Sequence, residues 1–286
     1  MLKHLMVVSI VLTAACARPT PEQQIVNDAA DALGGREKIL AVKTLVIEGG
    51  GANGNLGQDL TPERTVQQFT LSDYKRAIDL AAGRSRTEQT RTPNFTYFQG
   101  QAPQRQVFGI DGAVGYNVAA NGTATRAADA VAKDRRADLN HHPLTIVRAA
   151  LDPAATLANP RTMDNQAIVE VTTADGMKFT LATDAATKLP TRVVSMTDNT
   201  NLGDVAIETT FADYQDVSGF KLPARLTTTT DRVMTTDIRV TKQSIDTEAG
   251  DLTAPSAAAS AAAITGPAPA NVTSEEIAKG IWFLAG

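Results

Sequence analysis

Apolar and polar residues alternate with a period of two along most of this chain, most plainly over residues 187–226. There Val205, Ile207, Thr209 and Phe211 fall on one face. Ala206, Glu208, Thr210 and Ala212 fall on the other, the mark of a sheet with two chemically different faces. Turn formers bound this long strand: Asp198-Asn199-Thr200-Asn201 with Gly203 before it, and residues 216–219 after it. The same punctuation predicts strands over residues 42–48, 66–71, 75–81, 84–91, 95–99, 104–110, 114–118, 167–173, 178–183 and 233–245. Asp111-Gly112 predicts a hairpin turn between two of them. Regular short strands joined by turns imply a mainly β chain: a sandwich, a barrel or a large curved antiparallel sheet.

The period changes in two places. Thr20-Pro21-Glu22-Gln23 reads as a helix start, with Thr20 as cap, Pro21 in the first turn and Gln23 reaching back to the cap. Ile25, Val26, Ala29, Ala32 and Leu33 form its apolar side, Gly34-Gly35 stops it, and a short turn is expected over residues 36–40. Residues 127–151 are the main helical insertion among the strands, with Pro143 opening a helix that offers Leu144, Ile146, Val147, Ala150 and Leu151 for packing. His141-His142 precede it. Adjacent helical residues point about 100° apart, whereas metal-ligand pairs favour spacings of three or four, so the pair reads as an approach to the helix. The glycines of residues 49–55 lack the Gly-Lys-Ser/Thr ending of a phosphate loop and read as a flexible turn or bulge. From residue 248 the chain turns to Ala, Ser, Pro and Thr, which reads as a linker or loosely held segment through residue 273, with a brief helix over 257–263.

Composition removes several function classes. The 286 residues carry 27 Lys and Arg against 31 Asp and Glu, a net charge of −4, with no basic run, so a nucleic-acid partner is not expected. The single cysteine forbids an internal disulfide or a thiolate metal cluster. The three histidines are His4, His141 and His142, and no Gly-x-Ser-x-Gly elbow occurs, so no catalytic residue, metal ligand or cofactor is assigned within the chain.

The start, MLKHLMVVSIVLTAAC, has basic Lys3, an apolar run over residues 5–12, Ala14-Ala15 and then Cys16. The run is too short to span a bilayer and reads as a secretory signal over residues 1–15. It resembles the bacterial lipoprotein signal, departing from it at Thr13, where leucine is usual. The resemblance implies acylation of Cys16 and a membrane-anchored chain facing the periplasm. Ala17 in place of aspartate implies the outer membrane; ordinary secretion to the periplasm is the alternative.

The layout of helix, strands, one helical insertion and more strands resembles the LolA/LolB-like lipoprotein carriers. That resemblance implies an incomplete β-barrel with helices on its concave side over residues 16–247, and an apolar or lipid ligand. Val205, Ile207 and Phe211 from the sheet, with Ile146 and Val147 from the helix, are then the candidate ligand-lining residues; the alternative is that the helices fill the concave side and leave a dry core. Ala32-Leu33-Gly34-Gly35, Val42-Lys43-Thr44-Leu45, Glu48-Gly49, Lys188-Leu189-Pro190-Thr191-Arg192-Val193, Phe211-Ala212-Asp213-Tyr214 and Gly219-Phe220-Lys221-Leu222-Pro223 also resemble the amino-terminal domains of secreted metallo-β-lactamase-fold hydrolases. Residues 274–286 look like the first strand of such a zinc domain. That likeness implies a truncated product or a fragment, with zinc only in a domain beyond Gly286. The alternative is that residues 281–284 dock as an edge strand on the half-barrel. Three functions follow: an apolar-ligand or accessory domain, the front of a zinc hydrolase, or a structural interaction protein of the envelope.

Overall fold

The computed structural model describes residues 18–55, 66–95, 102–199, 202–265 and 272–285. The expected signal, Cys16, most of the expected strand over 95–99, Thr200, Asn201 and Gly286 lie outside them.

Thirteen strands form one antiparallel sheet that does not close: β1 Thr44–Gly54, β2 Gln68–Asp79, β3 Arg84–Pro93, β4 Gln104–Asp111, β5 Val114–Val118, β6 Ala124–Arg126, β7 Thr156–Met163, β8 Gln166–Thr172, β9 Lys178–Asp184, β10 Pro190–Asn199, β11 Gly203–Val217, β12 Phe220–Thr230 and β13 Val233–Ile245. The first and last of these strands pair in the middle, Leu45 opposite Ile245, and two meanders run outward to free edges at β6 and β7. Helices α3 (Asp129–Asp138) and α4 (Pro143–Ala150) are the connection between those two edges. The helical insertion seen in the sequence is therefore the only covalent bridge across the gap that keeps the sheet from being a barrel.

Helix α1, Pro21–Leu33, forms with the expected capping box between Thr20 and Gln23. Residues 36–40, expected as a turn, lie in a second helix, α2 Arg36–Ala41. The glycine run is not a turn: β1 continues through it with bulges beside Gly49 and Gly51. A Cβ on Gly51 would lie 1.9 Å from the Asp237 carbonyl oxygen, so glycine there permits close approach of β1 to β13. The two strands expected over 66–81 are one, β2, bulged at Asp73 with φ +53°. Edge strand β7 has no alternating pattern in the sequence. Asn159, Pro160 and a bulge between Ala158 and Arg161 blunt it, as edges that must not aggregate are blunted.

One core cluster lies between the sheet and the helices. It joins Val26, Ala29 and Leu33 of α1 and Leu144, Ile146 and Val147 of α4 to Leu45, Ile47, Val169, Leu181, Phe211 and Leu222 of the strands. The opposite face is also partly covered. Leu252 packs on Val46 and Ala77, Ala254 N–H donates to Asp111 Oδ2 (3.0 Å), and α5 (Ser256–Ser260) buries Ala258. Arg126 Nη1 donates to Ala261 O and Asp129 N to Ile264 O, both at 3.0 Å. The stretch that reads as a linker is thus, through residue 264, a strap held across the sheet by small side chains and backbone hydrogen bonds. Strands β14 Thr273–Ala278 and β15 Ile281–Ala285 form a separate two-stranded sheet and do not join the thirteen-stranded one.

Candidate functional site

The site is built around α4. His142 is its N-cap: Leu144 N–H donates to His142 Nδ1 (3.3 Å), and Thr145 Oγ1 donates to His142 O (2.9 Å). Because Nδ1 accepts, Nε2 carries the proton and donates to Gln243 Oε1 at 3.2 Å on β13. His141 bridges two strands, Nδ1 to Thr209 Oγ1 (2.8 Å) on β11 and Nε2 to Ser195 Oγ (2.9 Å) on β10. Both rings are buried, and loss of solvation holds His141 down to about 4 and His142 down to about 3, so both are neutral at physiological pH. They rivet the start of α4 to three strands. Ser195 and His141 are at nucleophile–base distance, but Ser195 is 6% exposed and neither residue lines the two cavities described below. Among the described residues no group of three or more His, Cys, Asp or Glu is arranged to hold a metal ion.

The inner face of α4 fills the centre of the covered side. Ile146 and Val147 are fully buried in the core with Phe211; Val205 is buried near the start of β11, and Ile207 is half-buried. None of these five residues lines either of the two larger cavities. The centre that was expected to hold a ligand is occupied by the protein's own helices. Helix α1 packs on β7, β8, β12 and α4 and buries Val26, Ala29, Ala30 and Leu33 against them.

Space opens instead at the C-terminal end of α4. A cavity of about 710 Å³ lies between α4, α2, the β2–β3 turn and the β8–β9 turn. Ile78, Leu80, Leu139, Ala149 and Leu151 give it apolar walls. A second cavity, about 460 Å³, lies against α1 and shares Arg36, Leu151, Asp152 and Pro153 with the first.

Two arginines hold the walls together. Arg148 Nη1 donates to Ile39 O (3.0 Å), Leu40 O (2.6 Å) and Val42 O (2.8 Å) at the end of α2, where Ile39 O also accepts from Val42 N–H (3.4 Å). Arg36 Nη2 donates in return to Leu151 O (3.3 Å) at the end of α4, and its Nη1 to Asn27 Oδ1 (3.5 Å). Each helix thereby caps the other. Neither the cavity nor this exchange was legible beforehand; the only sequence signal was an arginine in each of two short segments.

No family model matches the chain, and no curated protein matches it. Solved structures that are similar to it include two distant ones. The LolA superfamily protein NE2245 from Nitrosomonas europaea is 10% identical, with 80% of this chain and 96% of that chain covered at a TM-score of 0.43. LprF from Mycobacterium bovis is 12% identical, with 84% and 99% covered at a TM-score of 0.32. Both are distant, and the functional reading rests on this chain's own geometry.

Proposed function

We propose that this is a non-catalytic domain of the bacterial cell envelope that binds an apolar ligand in the 710 Å³ cavity at the end of α4. One observation carries the reading: an apolar-walled space of ligand size is held open in a domain whose centre is otherwise close-packed. The signal-like start supports acylation at Cys16 and residence on the periplasmic side of the outer membrane. No helix among the described residues is long and apolar enough to cross a membrane.

The test is binding of the fluorescent apolar probe N-phenylnaphthylamine to the purified chain. Saturable enhancement is expected, and Ala149→Trp, which fills the cavity from the wall of α4, removes it. An absence of saturable binding, or binding unaffected by Ala149→Trp, sinks the reading.

A second reading has its own observation. In β15 Ile281 and Phe283 point to one face and Trp282 and Leu284 to the other, and all four are more than half exposed. Strands apolar on both faces suit a sheet covered on both sides. This favours the hairpin as the first piece of a further layered domain, such as the zinc-dependent metallo-β-lactamase fold. Sequencing downstream of codon 286 tests it: an open frame with a His-x-His-x-Asp-His cluster supports it, and a stop codon refutes it.

A further inference from the structure

We infer that the cavity at the end of α4 selects amphiphiles with an anionic head, received by Arg36 and Arg148, with the alkyl tail against Ile78, Leu80, Leu139 and Ala149. The inference rests on the binding reading above and adds the ligand's chemistry to it.

Three arginines and three aspartates line this cavity, so its formal charge is balanced. One arginine and one aspartate pair with each other, and the other two of each sign have neutral partners. Arg136 is paired with Asp175 at 2.9 Å. Asp79 Oδ1 is taken up by the Ala81 and Ala82 N–H groups (both 2.9 Å), and Asp152 Oδ1 by Ala154 N–H (2.8 Å). These two carboxylates keep their charge, but the N–H groups that hold them fix them in the β2–β3 turn and in the turn after α4. Arg36 and Arg148 have no carboxylate within ion-pair distance among the described residues; their protein partners are the neutral oxygens of α2, α4 and Asn27.

Neutral carbonyls orient a guanidinium without cancelling its charge. Arg148 uses one nitrogen, Nη1, for all three of its carbonyl bonds, which leaves the Nε and Nη2 donors for a ligand. Arg36 stands on the wall shared by the two cavities. The result is two pinned guanidiniums, without a direct carboxylate partner and with donors to spare, at the border of an apolar space. Pinning removes most of the side-chain entropy that binding would otherwise cost, and a charge-assisted bond to a carboxylate or phosphate oxygen is about twice as strong as a neutral one. A carboxylate and a phosphate monoester share the chemistry that such a site reads.

The experiment is displacement of bound N-phenylnaphthylamine at low salt by three ligands with the same tail: palmitate, hexadecyl phosphate and hexadecanol. The two anions are expected to displace the probe at roughly tenfold lower concentration than the alcohol, the effect of one charged hydrogen-bonding group. The stronger of the two anions identifies the head. Arg36→Gln is expected to remove most of that advantage while leaving hexadecanol unchanged, and Arg36→Lys to retain part of it. Equal displacement by all three ligands, or an Arg36→Gln effect shared by the alcohol, overturns the head-group inference and leaves the cavity reading standing. Failure of the probe to bind overturns both.

Discussion

The two ends of α4 do opposite things. Its first turn is riveted to the sheet by buried histidines, with Thr145 alone of that turn reaching the cavity, while its last turn is tied to α2 by arginine-to-carbonyl bonds and walls the cavity. The difference lies in the reach and polarity of the side chains. Ile146 and Val147 bring the backbone to van der Waals contact with the strands, whereas Arg148 spans outward to α2 and carries a charge that cannot be buried unpaired. A short helix can therefore close one part of a half-barrel and prop another open.

The largest break in this comparison comes from the packed end. Ile146→Ala is expected to lower unfolding stability by about 2–5 kcal/mol, the cost of a buried cavity, with probe affinity unchanged. Urea denaturation beside probe titration checks both halves. Loss of affinity at wild-type stability would place the ligand in the centre after all.

Next comes pH. Both histidines titrate near 6.5 when unfolded and at about 4 and about 3 when folded. Above pH 6.5 both states are neutral and the histidines contribute no slope. As pH falls from 6.5 toward 4, the unfolded chain binds protons that the folded chain refuses. Stability therefore drops by roughly 1 kcal/mol per pH unit for each histidine. His141→Gln is expected to flatten that slope by about half; an unchanged slope would show that His141 is not buried neutral.

At the open end, Arg148→Met leaves the carbonyls of Leu40 and Val42 without their arginine donor, for an expected loss of about 1–3 kcal/mol. Hydrogen exchange should localise the loosening to α2 and spare β10 and β11. The smallest effect is expected at the terminal hairpin, where Trp282→Ser should change the stability of the sheet domain by no more than about 0.5 kcal/mol, because Trp282 is exposed. Leu252→Glu, by contrast, should release the strap to protease, since Leu252 is one of its buried anchors.

Much of the sheet was legible. Residues 233–245 form β13 as expected, and the face carrying Val205, Thr209 and Phe211 is the covered one, because alternation along a strand reports local geometry that any sheet obeys. The capping box at Thr20 and the helix start at Pro143 were legible for the same reason: a helix start is signalled within a few residues. Strands β6 and β7 were not. One is three residues long, and the other carries the irregularities of an edge, so neither shows alternation. The strap was read as a linker because small residues signal flexibility unless a groove of matching depth lies beneath them, and Val46 and Ala77 supply that groove from more than 170 residues away in sequence.

What the sequence by itself determined is a mainly β chain with a capped first helix, one helical insertion and two-faced strands. These follow from periodicity and from caps, which act over a few residues. Only the tertiary structure decided that the helices fill the centre and that the space lies beyond them. Arg36 meets the Leu151 carbonyl across 115 residues of chain, and Arg148 meets that of Ile39 across 109. Whether a surface is filled or left open depends on which distant side chains arrive opposite it, and no local pattern encodes that meeting.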